Sequence, residues 1–100
     1  MIVPLQQMTE AQRFEHWHMY ELELIRQFLK PTEHENEMVR FGTIKEFFEE
    51  KRWKKQDRKK LKEALAYEGY LPVSQLHRGQ LVPFYNLEIV GYNEPPVAPH

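Results

Sequence analysis

Apolar positions set the outline of this chain. Phe14, Trp17, Leu24, Ile25 and Phe28 recur at helical spacing, and Leu22 and Leu29 widen the stripe. The run Thr9-Glu10-Ala11-Gln12 ahead of it matches a capping box, in which a threonine hydroxyl accepts a first-turn N–H and a glutamine reaches back. The pattern therefore predicts one long helix from about Thr9 to Leu29. Pro31 fits its end, because the residue before a proline, Lys30, is biased out of the helical region. Glu21 interrupts the stripe and argues against a long coiled coil.

A polar, acidic linker, PTEHENE, covers Pro31 to Glu37, and Met38-Val39-Arg40-Phe41 reads as a brief strand. Thr43 to Glu46 is a second capping box, and Ile44, Phe47 and Phe48 form the apolar face of a short helix ending near Lys51. Trp53 falls in the turn that follows. A further helix is expected from about Lys55 to Glu68, burying Leu61, Ala64 and Leu65 with Tyr67 beside them, and Gly69 is placed to stop it in the left-handed conformation. Leu71 to Leu76 and Leu81 to Val90 are rich in Val, Phe, Tyr, Leu and Ile and flank His77-Arg78-Gly79-Gln80, the signature of a β-hairpin with Gly79 in the turn. Pro72 and Pro83 cannot donate to a ladder and should sit at edges or bulges. The fold class is thus α+β and mainly helical: a lead-in at 1–8, one domain at 9–90, and a tail at 91–100, YNEPPVAPH after Gly91, that reads as disordered.

Composition narrows the class. One hundred residues fit one domain, and 41% apolar content supports a modest core. Without cysteine, disulfides and thiolate metal sites are excluded. The N-terminal MIVPLQQMTE has neither a positive n-region nor a long apolar stretch, so it does not read as a signal peptide. No apolar run approaches the roughly 20 residues of a membrane span. The expectation is a soluble, cytoplasmic protein without a membrane partner.

Charge changes the picture most. From Lys51 to Lys62 the chain reads KRWKKQDRKKLK, eight Lys or Arg against one Asp. The other residues hold six Lys or Arg and fourteen Asp or Glu, so the net charge of −1 hides a polarised molecule. A compact positive block suits an acidic partner, of which nucleic acid is the commonest.

The order helix, short strand, helix, helix, hairpin is that of a winged helix-turn-helix domain, and the stretch TIKEFFEEKRWKKQDRKKLKEALAYEGYL, Thr43 to Leu71, resembles the helix-turn-helix core of winged-helix regulators. The resemblance, which runs on to about Val90 and covers about half the chain, rests on a short helix with Ile44, Phe47 and Phe48 on one face, Trp53 plugging the turn, the basic helix from Lys55 to Glu68, and Glu68-Gly69-Tyr70-Leu71 leading into the wing. It implies a recognition helix at 55–68 and a wing tip at His77-Arg78-Gly79. A recognition helix presents its first turns to the major groove, which singles out Lys54, Lys55, Gln56, Arg58, Lys59 and Lys62, with Arg78 on the wing. Arg pairs bidentately with guanine, Gln with adenine, and Lys mostly neutralises phosphate. Residues 55, 58, 59 and 62 share one side of that helix while 57, 61, 64 and 65 trend to the other, so a basic and an apolar face coexist.

Two other readings stand beside this one. Lysine-rich helix faces also serve as solvated coats, and Lys59 with Glu63 has the i,i+4 spacing of a supporting pair. A fold of this kind also hosts protein binders; the block could dock an acidic surface of a host protein, as in a phage-type accessory or inhibitor protein acting on a DNA-processing enzyme, and structured RNA is a further candidate. The long first helix offers a surface for homodimerisation. Glu15-His16-Trp17-His18 looks metal-like, but histidines two apart on a helix point away from each other. Pro96-Val97-Ala98-Pro99 is a PxxP match in a loose tail. No phosphate-binding glycine loop, nucleophile elbow or catalytic carboxylate pair can be assembled, and Ser74, the only serine, has no activating neighbour in the sequence. The expectation is a non-enzyme without cofactor or metal.

Overall fold

The structure is a computed structural model and describes residues 8–52 and 54–90. The first helix, α1 (Glu10–Trp17), starts from the expected capping box: Thr9 Oγ1 accepts from Gln12 N at 3.2 Å, and Gln12 Oε1 accepts from Thr9 N at 2.9 Å. The long helix expected from Thr9 to Leu29 is in fact two, because His18 (φ −111°, ψ 19°) leaves the helical region and α2 (Met19–Phe28) resumes after it. The cause is local. Both His18 N–H and ring Nδ1 reach the Phe14 carbonyl, at 3.0 and 2.9 Å, and the imidazole stacks on the Phe14 ring at 3.8 Å. Folding the ring back onto the preceding turn bends the chain there.

That bend redistributes the stripe. On α2, Leu22, Leu24 and Ile25 are buried and Phe28 packs at the margin, whereas α1 buries no residue and Trp17 is 65% exposed. Trp17 is therefore not a core residue: burial follows His18, Glu21, Leu22, Ile25 and Leu29, a line that passes to one side of it. Glu21, which interrupts the apolar pattern, is itself buried, and its Oε1 has no hydrogen-bond partner among the described residues.

The helix gives way at Leu29 to a two-residue strand, β1 (Leu29–Lys30), and the linker to Glu37 is pinned by Asn86, whose Nδ2 donates to the carbonyls of His34 and Glu37 at 3.0 and 2.8 Å. The expected short strand is β2 (Val39–Arg40). Helix α3 (Phe41–Arg52) begins two residues before Thr43, so Thr43 lies inside the first turn and cannot cap it as expected. Packing overrides the capping signal: Phe41 is buried against Tyr85, ring centroids 6.3 Å apart, and carries the strand directly into the helix. Helix α4 (Arg58–Tyr67) starts three residues later than expected, because Asp57 caps it, its side chain accepting from Lys60 N at 2.9 Å. Its end is as expected. Gly69 (φ +92°) donates to Ala66 O and Tyr70 N to Leu65 O, the paired bonds of a Schellman motif.

Strands β3 (Val73–His77) and β4 (Gln80–Tyr85) form the expected hairpin. Arg78 (φ +53°) and Gly79 (φ +80°) are both left-handed, as a two-residue type I′ turn requires. Pro72 precedes β3; Pro83 lies within β4, opposite Ser74, where alternation from the turn makes a non-hydrogen-bonded pair, so its missing N–H costs that ladder nothing. The second hairpin segment does not run unbroken to Val90. It stops at Tyr85, and β5 (Glu88–Ile89) instead pairs antiparallel with β1. The other sheet has the order β2-β4-β3, antiparallel throughout. The result is a small α+β domain of four helices and a few antiparallel strands. Its core joins Leu22, Leu24 and Ile25 to Ile44, Phe47 and Phe48, Leu61, Ala64 and Leu65, and Tyr85, Leu87 and Ile89. Trp53, the expected turn plug, and the expected tail at 91–100 lie outside the described residues.

Candidate functional site

The basic run is not one surface. Its first two cations fold back onto the domain: Lys51 Nζ sits over the Phe28 and Phe47 rings at 5.3 and 5.2 Å, and Arg52 pairs with Glu23 at 3.0 Å beside the Tyr20 ring. These are packing contacts between α3 and α2. The rest of the run, from Lys54 onward, occupies the α3–α4 connection and α4 itself.

One carboxylate organises that connection. Glu49 Oε2 on α3 accepts from Lys45 Nζ at 2.7 Å and from Gln56 N at 2.9 Å, while the Glu49 carbonyl takes Lys54 N at 3.3 Å. The Lys45 ammonium, then the Gln56 amide, hold the Glu49 carboxyl below its usual range. Asp57 then caps α4. Lys54, Lys55 and Gln56, expected in the first turn of a recognition helix, are therefore in the turn before it. Lys54 and Lys55 are exposed. Gln56 is half-buried, with its backbone bound to Glu49 and its side-chain amide turned to Lys54 O at 3.5 Å, an orientation that withdraws it from an adenine edge.

On α4 the expected two-faced arrangement holds for Arg58, Lys59 and Lys62 against Leu61, Ala64 and Leu65, but Lys55 lies before the helix and Asp57, expected toward the apolar side, is its exposed cap. Leu61, Ala64 and Leu65 are buried, while Arg58 and Lys59 are exposed and Lys62 is half-buried. Arg58 and Lys62, one turn apart, bracket the Phe41 ring, their charged heads 5.0 and 5.1 Å from its centroid. Lys59 makes no ion pair among the described residues. The supporting Lys59–Glu63 pair is absent, because Glu63 turns to His18 Nε2 at 3.5 Å. Among the described residues Lys54, Lys55 and Lys59 are exposed and make no close ion pair, although Lys54 and Lys55 share a shallow hollow with Glu46, Glu49 and Glu50, and the Lys55 charge acts on the Glu49 carboxylate. Arg78 stands apart at the exposed hairpin tip.

Some features were not foreseen. Leu76 and Leu81 face each other across the hairpin and are 74% and 71% exposed. Alternating burial could not reveal them, since the whole of β3 apart from His77 is exposed. Arg40, in a strand of two residues, carries no such signal in the sequence. His16 and His18 do not converge: His18 is packed on Phe14, and no group of three metal-ligating side chains occurs among the described residues. Nor is any helix among the described residues long and apolar enough to cross a membrane. Comparisons with protein-family models, with curated proteins and with solved structures returned no match.

Proposed function

We propose that this is a winged helix-turn-helix domain that binds duplex DNA, with α3 and α4 as the helix-turn-helix and the β3–β4 hairpin as the wing. The element order α2, β2, α3, α4, β3, β4 and the sheet order β2-β4-β3 support the architecture. The observation that carries the function is the set of exposed ammonium groups of Lys54, Lys55 and Lys59, without a close ion pair among the described residues and held on a turn braced by Glu49 and a helix capped by Asp57. Arg58, Lys62 and, on the wing, Arg78 extend that surface. Lysines neutralise phosphate rather than read bases, so phosphate contact supplies most of the affinity and Arg58 is the principal candidate for a base edge. Such a protein would act in control of transcription or replication, without catalysis or cofactor. Its test is Lys55→Glu with Lys59→Glu, two exposed changes that spare the core. Duplex DNA binding at low salt should fall by at least tenfold with the thermal melt unchanged; an unaltered affinity refutes the reading.

A second reading is favoured by the exposed Leu76–Leu81 pair, an apolar surface unsuited to phosphate. In it the hairpin docks on a host protein, with the basic surface set against acidic groups of that partner or DNA it already holds. Recovery of one stoichiometric protein on the wild-type chain after nuclease treatment, lost with Leu76→Ser and Leu81→Ser, would favour it. Homodimerisation through the N-terminal helices would use exposed Trp17, Met19 and Tyr20. A sedimentation coefficient independent of concentration would exclude it.

A further inference from the structure

A cleft of about 490 Å³ lies beneath the hairpin, within the range typical of small-molecule sites. Its walls come from β2, the first turn of α3, the inward face of the hairpin and β5. Three polar side chains, Arg40, Thr43 and His77, line it together with apolar Met38, Phe84 and Ile89. The two carboxylates at its margin are already engaged: Glu37 accepts from Thr32 Oγ1 at 2.6 Å, and Glu88 lies 3.7 Å from Lys30 Nζ. Arg40 is half-buried, and its guanidinium makes no ion pair or hydrogen bond among the described residues. Its guanidinium is laid across Gly42, where a Cβ would lie 3.0 Å from Arg40 Cζ and overlap its terminal nitrogen. The missing side chain at position 42 is what makes room for the guanidinium in this place. His77 is held edge-on to Phe84, ring centroids 6.2 Å apart.

We propose that this cleft is a binding site for a small monoanionic carboxylate with an aromatic or branched apolar body. The guanidinium is a planar two-pronged donor that matches a carboxylate. Thr43 and His77 supply further hydrogen bonds, and Phe84, Met38 and Ile89 remove the apolar body from water. The glutamates at the margin disfavour a dianion such as phosphate. An occupant would bridge α3 to the hairpin and fix the orientation of the segment that carries Arg78. The site stands independently of the nucleic-acid reading.

The test is a titration of the full chain with benzoate, followed by two-dimensional NMR, with benzamide as the uncharged counterpart. Benzoate should give saturable shifts at the Arg40 side-chain N–H, the Thr43 amide and the His77 ring, with a Kd of about 1 mM or tighter, as is ordinary for so small a ligand. Benzamide should bind about tenfold more weakly. Arg40→Gln should weaken benzoate about tenfold. Gly42→Ala keeps the charge but displaces the guanidinium, and it should weaken benzoate to a similar degree. If Arg40→Gln does not fold, Gly42→Ala carries the test, since only the end of a flexible side chain has to move. The proposal is overturned by the absence of saturable shifts at these groups, by wild-type affinity in Gly42→Ala, or by equal binding of benzamide.

Discussion

Asp57 is both the cap of α4 and the lone anion among eight cations between Lys51 and Lys62, and two substitutions separate these roles. Asp57→Ala removes the acceptor that meets Lys60 N at 2.9 Å and leaves that first-turn donor to water. Loss of an N-cap of this type costs about 1 kcal/mol, within a range of roughly 0.5–2. For a domain of this size that corresponds to a fall in Tm of about 4–8 °C. Asp57→Asn keeps an acceptor of equal capping strength, so its melt should stay within about 2 °C of wild type. Both changes delete the one negative charge in the run, so under the DNA-binding reading Asp57→Asn should raise affinity for duplex DNA at low salt. Thermal and urea unfolding by circular dichroism at neutral pH would measure the first effect, fluorescence anisotropy the second. If Asp57→Asn destabilises as much as Asp57→Ala, the contribution of Asp57 is a charge–dipole effect and not a cap. The start of α4 at Arg58 would then lose its explanation.

Other consequences are as direct. Arg78 occupies a left-handed turn position that favours Asn or Gly, so Arg78→Asn should stabilise the domain by about 0.5–1 kcal/mol while weakening DNA binding, a divergence measurable by parallel melts and titrations. Glu21→Met replaces a buried carboxylate whose Oε1 lacks a partner among the described residues; the unfolding free energy from urea melts should rise by about 1 kcal/mol, and a fall would mean that Glu21 has a favourable partner in solution. Burial pushes the Tyr85 phenol above its ordinary pKa of 10.0, so the stability present below pH 10 is lost as pH rises from there through the raised folded value. Tyr85→Phe should flatten that alkaline loss in unfolding curves, leaving the share of Tyr70, which burial also raises; an unchanged slope would contradict the burial of Tyr85.

The parts of the fold that were legible are those written in adjacent residues. Thr9 with Gln12 caps α1, Gly69 ends α4 with its left-handed backbone, Arg78-Gly79 turns the hairpin, and Leu61, Ala64 and Leu65 form one buried helical face. What was missed depends on contacts distant along the chain or on side chains returning to their own backbone. The stripe through Trp17 looked continuous because nothing in its spacing reveals that the His18 ring binds the Phe14 carbonyl and bends the helix. The start of α4 was placed too early because Lys55 and Gln56 are good helix formers, while Asp57 offers the stronger cap and Glu49 claims Gln56 N. The β1–β5 pair joins residues about sixty positions apart and has only two rungs. Similarly, the basic run read as a single unit because its sequence cannot show that Lys51 and Arg52 turn to Phe28, Phe47 and Glu23, whereas Lys54, Lys55 and Lys59 face water.

The proposed DNA contact is tested most directly by binding to random-sequence duplex DNA across a salt series, for the wild type and for a variant with Lys54, Lys55 and Lys59 changed to Gln. Each phosphate neutralised contributes about −0.9 to the slope of log K against log salt. The account predicts a steep wild-type slope that becomes shallower by about 2–3 in the variant as those contacts are lost. No binding at low salt, or a slope the three substitutions leave unchanged, would contradict it.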